Sequence, residues 1–342
     1  MPKLKLAVYW ASSCGGCDIA IVELGEHLLE LAQVADIVFW PCAMDFKYSD
    51  VEALEDGAID VTLFNGAIRT NEDEHVANLL RHKSKVLVAL GSCAGEGCIP
   101  GLSNIRGAMY ALERATLEMP VVENPSGAPQ VGCFPMPEGD LTLPVLGERL
   151  RTLEQVVPVD YAIPGCPPNH DQIWKALEAV IAGKLPPVGS LLGVDDRTVC
   201  DQCPRVREGK IRVERFYRPH EIIPDPTRCF LEQGLICAGP ATHAGCGALC
   251  IGANMPCRGC YGAPNGVVDQ GAALLSAVVA GFKGQSDAEI RQVLSTIVDP
   301  VGTFYRFSLA ASLLNKIGAE NQTGLAAEAG CARAETPEEA AS

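Results

Sequence analysis

Short β-branched runs alternate with amphipathic stretches through the first half of the chain. This is the pattern of a parallel sheet covered by helices on both faces. The runs predict strands over Leu4 to Trp10, Asp36 to Trp40, Val61 to Phe64, Lys85 to Leu90 and Tyr161 to Pro164. Between them, Ile19, Val22, Glu26, Leu29 and the residues around them read as a helix with an apolar face, as do Glu74 to His82 and Ile173 to Ala182. Five such strands predict an α/β fold: a flavodoxin-like, doubly wound parallel sheet covering roughly residues 1–185.

The paired prolines and glycine of Leu185-Pro186-Pro187-Val188-Gly189 cannot continue the preceding helix. The boundary of a second, smaller domain, 186–318, is placed there. From 190 to about 266 the chain is rich in Cys, Gly and Pro and poor in periodicity, as expected where metal coordination replaces much of a hydrophobic core. Two C-terminal helices are predicted, Val267 to Phe282 and Ala288 to Ile317, the second with a break near Pro300-Val301-Gly302. Residues 319–342, mostly Ala and Glu, read as a disordered acidic tail.

The longest apolar run, Gly271 to Phe282, is well short of the ~20 residues that cross a bilayer, so no membrane anchor is expected. The segment Met1-Pro2-Lys3-Leu4-Lys5 carries no twin arginine, and a strand follows it rather than a cleavage site, so a cytoplasmic location is expected. With 42 acidic against 27 basic side chains, a formal charge of -15 and no basic block, nucleic acid is excluded as a ligand.

Sixteen cysteines change this picture most. Disulfides explain them poorly, because cytosolic thiols are kept reduced, and metal sites become the leading reading. Cys14 and Cys17 follow the first strand, Cys93 follows the fourth and Cys166 the fifth. The carboxyl ends of parallel strands share one sheet edge, where ligands bind. These four thiols should therefore converge, with Gly15, Gly16 and Gly165 letting backbone amides approach sulfur. A second group, Cys200-x2-Cys203, Cys229, Cys237, Cys246-x3-Cys250 and Cys257-x2-Cys260, supplies eight more, enough for two four-sulfur sites. All-sulfur quartets select iron-sulfur clusters or structural zinc, and spacing alone separates these poorly.

The motifs Cys14-Gly15-Gly16-Cys17, Gly91-Ser92-Cys93-Ala94, Gly165-Cys166-Pro167-Pro168-Asn169, Cys237-Ala238-Gly239-Pro240-Ala241-Thr242 and Pro256-Cys257-Arg258-Gly259-Cys260 resemble, in order, those of the small subunit of nickel-iron hydrogenases. The resemblance implies an electron-relay oxidoreductase subunit with no catalytic residue of its own. The nickel-iron centre would lie in a separate large subunit. It further implies a proximal 4Fe-4S cluster on Cys14, Cys17, Cys93 and Cys166.

Periplasmic, membrane-linked members of that family have a histidine ligand at the distal cluster and a proline at the three-iron medial cluster. Here Cys200 stands for the histidine and Cys250 for the proline. The resemblance then implies a distal 4Fe-4S cluster on Cys200, Cys203, Cys229 and Cys237, and a medial one on Cys246, Cys250, Cys257 and Cys260. Thiolate in place of histidine, and a fourth iron in place of a vacancy, lower a cluster's potential. The chain is thus similar to cytoplasmic hydrogenases linked to heterodisulfide reductase or to a diaphorase, and a further iron-sulfur or flavin subunit is an expected partner.

Cys42, Cys98, Cys133 and Cys331 are left over, with Cys98 read as a buried thiol rather than a ligand. Asp18 and Glu23 are read as a solvated or interface helix face, and His170 and His243 as packing or donor residues. Two other readings stand beside the main one. The first is the related quinone-reducing subunit of respiratory complex I, which has adjacent cysteines in place of Cys14 and Cys17 and lacks the eight-cysteine region. The second is a zinc-stabilised scaffold without enzymatic activity.

Overall fold

The computed structural model of the chain describes residues 3–125, 127, 133–209, 213–282 and 286–315. The expected tail, with Cys331, lies outside the described residues.

In chain order the first region contains β1 (Leu4–Trp10), α1 (Gly16–Val22), α2 (His27–Val34), β2 (Ala35–Phe39), α3 (Tyr48–Glu52), β3 (Ile59–Asn65), β4 (Ile68–Thr70), α4 (Asn71–Lys83), β5 (Ser84–Leu90) and α5 (Gly91–Glu96). It continues through α6 (Gly107–Glu113), β6 (Cys133–Met136), β7 (Gly139–Thr142), β8 (Leu146–Arg151), β9 (Tyr161–Ile163) and α7 (His170–Ile181). The five expected strands form one sheet in the order β2-β1-β3-β5-β9, and every pairing in it is parallel.

Both faces of this sheet are buried, which is why its strands read as apolar runs rather than alternating ones. Leu6 and Val8 of β1, Leu63 of β3 and Leu90 of β5 pack with Ile21 of α1 and Ile173 and Leu177 of α7. The alternate positions Ala7, Tyr9, Phe64 and Leu87 pack with Val76 and Leu80 of α4 on the opposite face. The single helix expected across Ile19 to Leu29 is instead two helices, α1 and α2, separated by a turn in which Gly25 has φ 58°.

Past the Pro-Pro boundary the chain stays with the first sheet for a few residues. Leu191 bridges Ala162 in parallel, and Leu192 is buried in the first core. Then follow β10 (Asp195–Thr198), α8 (Val199–Gln202), β11 (His243–Ala244), α9 (Leu249–Gly252), α10 (Gln270–Val279), α11 (Asp287–Leu294) and α12 (Pro300–Phe304). The Cys-rich region has its own apolar core, in which Phe230, Leu235, Ile251, Leu274, Val278 and Phe304 surround Cys237 and Cys257.

The helix expected over Ala288 to Ile317 is interrupted ahead of Pro300, close to the expected break, and leaves two short helices. Ser286 caps α11 through the N–H of Glu289, and Asp299 caps α12 at Gly302 N, 2.9 Å away. A side chain that satisfies free N–H groups at residue 299 starts a new helix there instead of continuing the old one. Beyond α12 the chain returns to the first region: Ala310 is buried against Ala67 and Leu150, and Phe307 against Cys93 and Cys98.

Candidate metal centres

Cys14, Cys17, Cys93 and Cys166 sit where the carboxyl ends of β1, β5 and β9 open. Cys14 is exposed at the start of α1, and Cys17 is buried one turn later. Between them Gly15 adopts φ 77° under the Trp10 ring, a left-handed conformation that only glycine adopts without strain. Gly91 plays the same part below Cys93: it has φ +80°, and a Cβ there would collide with Cys17 Sγ. Ser92 N donates to Gly165 O at 2.8 Å, joining the Cys93 turn to the Cys166 turn. Burial pushes the Cys17 thiol up to about 12, and the nearby sulfurs of Cys166 and Cys14 add to the shift.

Cys98 belongs to this group more closely than its spacing suggested. It is 1% exposed, and its Sγ lies 3.6 Å from Cys166 Sγ. The hydrogen bond shared by the two thiols is the first cause of the strong rise at Cys166, followed by burial. Cys42 points elsewhere, donating to Asp18 Oδ1 at 3.1 Å.

Asp18 corrects the solvated-face reading. It is buried, and it accepts hydrogen bonds from Trp40 Nε1 at 2.8 Å, from Cys42 and from Asn65 Nδ2. Asn65, the last residue of β3, also accepts from Ser13 Oγ at 2.7 Å. One buried amide therefore holds both flanks of the Cys14–Cys17 turn. Its position at a strand's carboxyl end was the available sequence signal. Glu23 is exposed, as expected.

Cys200 lies in α8 and Cys203 caps it, facing Cys229 and Cys237. Two backbone bonds join the two sides of this set: Val206 N to Thr227 O and Cys229 N to Val206 O, both 2.8 Å. Arg205, unremarked in the sequence, braces them by stacking 3.7 Å over the Phe230 ring and donating to the carbonyls of Asp225 and Arg228. Gly239 forms the floor, where an added Cβ would stand 3.2 Å from Cys200 Sγ and 3.7 Å from Cys237 Sγ. Burial, then the neighbouring sulfurs, pushes Cys200 up to about 12.

Cys246, Cys250, Cys257 and Cys260 surround the α9 turn and the loop after it. Burial pushes Cys260 up to about 12, the N–H of Cys166 offsets part of the shift, and the sulfurs of Cys250, Cys166 and Cys246 add to it. Gln270 Nε2, buried, donates to Gly259 O at 2.8 Å and fixes the Cys257–Cys260 loop. His243 is buried with Nδ1 3.3 Å from Asp195 O, and His170 is exposed beside Asp171.

The three quartets adjoin one another in series. Cys166 meets Cys260 on one side of the last set, where Ser92 Oγ also donates to Cys260 O and Asn169 N to Tyr261 Oη at 3.1 Å. Cys257 meets Cys237 on the other. Among the described residues no three His, Cys, Asp or Glu side chains stand close enough to hold one metal ion. The donor chemistry fits a larger sulfur-ligated core. Cys17, Cys200 and Cys260, one in each quartet, resist ionisation where they are buried, a penalty that metal coordination removes. Glycines keep the space between sulfurs open.

A family described as NADH ubiquinone oxidoreductase, 20 Kd subunit, matches residues 14–180. The iron-sulfur subunit of the F420-non-reducing hydrogenase of Archaeoglobus profundus is 39% identical over 322 residues, which span 92% of this chain and 98% of that protein. A subunit of the F420-non-reducing hydrogenase of Methanothermobacter thermautotrophicus is 34% identical over 317 residues, 91% of this chain and 96% of its own length. Among solved structures, a chain of an NAD+-reducing NiFe-hydrogenase is 27% identical with a TM-score of 0.46, over 54% of this chain and 94% of that one. No helix among the described residues is long and apolar enough to cross a membrane.

Proposed function

This chain belongs to the family of iron-sulfur subunits of the F420-non-reducing hydrogenases, and from that premise we propose that it relays electrons between a nickel-iron large subunit and a low-potential redox partner through three 4Fe-4S clusters. The observation that carries the reading is the serial contact of the three quartets, Cys166 to Cys260 and Cys257 to Cys237.

In this reading Cys14, Cys17, Cys93 and Cys166 hold the proximal cluster, Cys246, Cys250, Cys257 and Cys260 the medial one, and Cys200, Cys203, Cys229 and Cys237 the distal one. Bound clusters supply one-electron carriers. The chain's own residues place them, exclude water and set their potentials. The amide of Cys257, aimed at Cys237 sulfur from 3.3 Å, stabilises negative charge there. Phe307 seals Cys93 and Cys98 from solvent, while Phe230 and Leu235 seal the distal side. Hydrogen is split or formed in the large subunit, so this chain handles electrons only. Sulfur at both Cys200 and Cys250 favours low potentials and hence a ferredoxin-type, iron-sulfur or flavin acceptor in the cytoplasm.

Metal analysis after anaerobic purification tests the proposal: about twelve irons per chain, in three clusters of four, are expected with acid-labile sulfide and a nickel-bearing partner. Stoichiometric zinc without iron would instead establish the scaffold reading. The quinone-reducing alternative is disfavoured because its family match ends at residue 180, before the last eight cysteines of the three quartets.

A further inference from the structure

A cavity of about 610 Å³ lies beside the loop that carries Cys257, and its walls are cationic in a chain whose formal charge is -15. Arg218, Arg258 and Arg306 all line it. They arrive from three separate segments: Arg218 from the loop after Tyr217, Arg258 from between Cys257 and Cys260, and Arg306 from just beyond α12. The charges of Arg306 and Arg218 both act against that of Arg258. Within the described residues none of the three forms an ion pair within 4 Å, and Glu221, the carboxylate that feels the charge of Arg218, is paired with Arg215.

The carboxylates nearby are committed elsewhere. Asp299 also lines the cavity but caps α12 through Gly302 N at 2.9 Å. Glu221 pairs with Arg215 at 2.8 Å and accepts the backbone N–H of Arg218. Arg306 spends only Nε, on Gly302 O at 3.0 Å. Three like charges converging on one space destabilise the folded chain unless an anion occupies it. Guanidinium groups are the side chains whose planar forks match phosphate oxygens two at a time. The remaining wall combines an apolar side, with Phe216, Met255 and Ile297, and the polar groups of His220, Thr296 and Thr303, and the volume falls in the ~300–1,000 Å³ range of small-molecule sites.

We propose that this cavity binds a phosphate-bearing organic anion of nucleotide size, its phosphate held by Arg218, Arg258 and Arg306 and its body lying against the apolar wall. The competing explanation is that the guanidiniums only balance cluster charge. Arg258 alone suits that role, since Cys250 and Cys257 lie near it. Arg218 and Arg306 come from segments with no cysteine of the quartets.

The test is calorimetric titration of the anaerobically purified complex with adenosine monophosphate, adenosine and inorganic phosphate. Adenosine monophosphate is expected to bind, adenosine not to, and phosphate to bind more weakly. R218Q and R306Q should each weaken adenosine monophosphate by roughly tenfold to a hundredfold, as expected for loss of one charged hydrogen-bond donor. Iron content equal to the parent's shows that the variants are intact; Arg218 is exposed, so R218Q is the variant least able to disturb folding. No heat with any phosphate, equal affinity for phosphate and adenosine monophosphate, or unchanged affinity in both variants overturns the proposal. So does a shift in cluster midpoint potential in R218Q and R306Q with no anion binding, which would assign both arginines to the cluster. Binding is expected whichever metal the quartets hold, so its failure and the failure of the electron-relay reading are separable.

Discussion

The backbone N–H of Cys257 donates to Sγ of Cys237 at 3.3 Å, so the loop of one cysteine quartet solvates a sulfur of the next. Gly239 lies under the same sulfur, with room for no more than a tight methyl contact at 3.2 Å from Cys200 Sγ. Gly239→Ala should therefore perturb the distal quartet while leaving Cys14, Cys17, Cys93 and Cys166 untouched. The expected result is a changed distal signal in electron paramagnetic resonance with the proximal signal retained. An identical spectrum would mean that Gly239 does not line a cluster.

Sulfur at position 200 and at position 250 should set the low potential of the distal and medial sites. Cys200→His is expected to raise the distal midpoint, and Cys250→Pro to convert the medial site to a three-iron form of higher potential. Each rise should be on the order of 100 mV, the direction in which imidazole ligation moves cluster potentials. Redox titration of each variant checks this, and an unmoved midpoint removes that cysteine from the ligand set.

Asn65 joins Ser13 and Asp18, and through them it shapes the Cys14–Cys17 turn. Asn65→Leu leaves a buried carboxylate with one fewer donor, which should cost about 1–3 kcal/mol. Denaturant unfolding should show this loss, with iron reduced by about four per chain if the proximal turn no longer closes. Asp18→Asn is the complementary change. A stability loss without loss of iron would confine both residues to the fold.

Sequence alone suffices for the sheet because burial on both faces leaves long apolar runs, from Leu4–Trp10 to Ser84–Leu90. It does not reveal the excursion between α5 and β9. There, β7 is exposed at every position and β8 pairs with β4 through a register shift, so neither has the alternation that marks a strand. The C-terminal helices escape a reading by period because the apolar spacing runs past Ser295, while the capping at Asp299 is local polar chemistry. The grouping of Cys14, Cys17, Cys93 and Cys166 is legible because strand order fixes which loops meet. The contact of Cys98 with Cys166 is not, since the Cys98 φ of 49° and the fold of the 99–105 turn cannot be read from spacing.

Glu96 gives the chain a pH dependence of unusual sign. Its side chain reaches from α5 to the loop after Cys260, where the N–H of Ala263 donates to it and Oε2 has no partner. Burial pushes the carboxyl from 4.5 up to about 8. Glu154, Asp160, Tyr161 and Tyr261 line the same cavity of about 310 Å³, and none supplies a positive charge. The folded chain therefore keeps a proton that the unfolded chain releases. Stability from this group is complete below the ordinary carboxylate range, declines as pH rises from 4.5 toward about 8, and is constant above that. Glu96→Gln replaces the neutral carboxyl by a neutral amide and should remove the slope, so that the variant gains on the parent progressively up to about 8 and the gap then stays fixed. Unfolding midpoints across this range, measured in matched ionic strength, should show the two curves diverging. Parallel curves would mean that Glu96 ionises in the folded chain as readily as in the unfolded one.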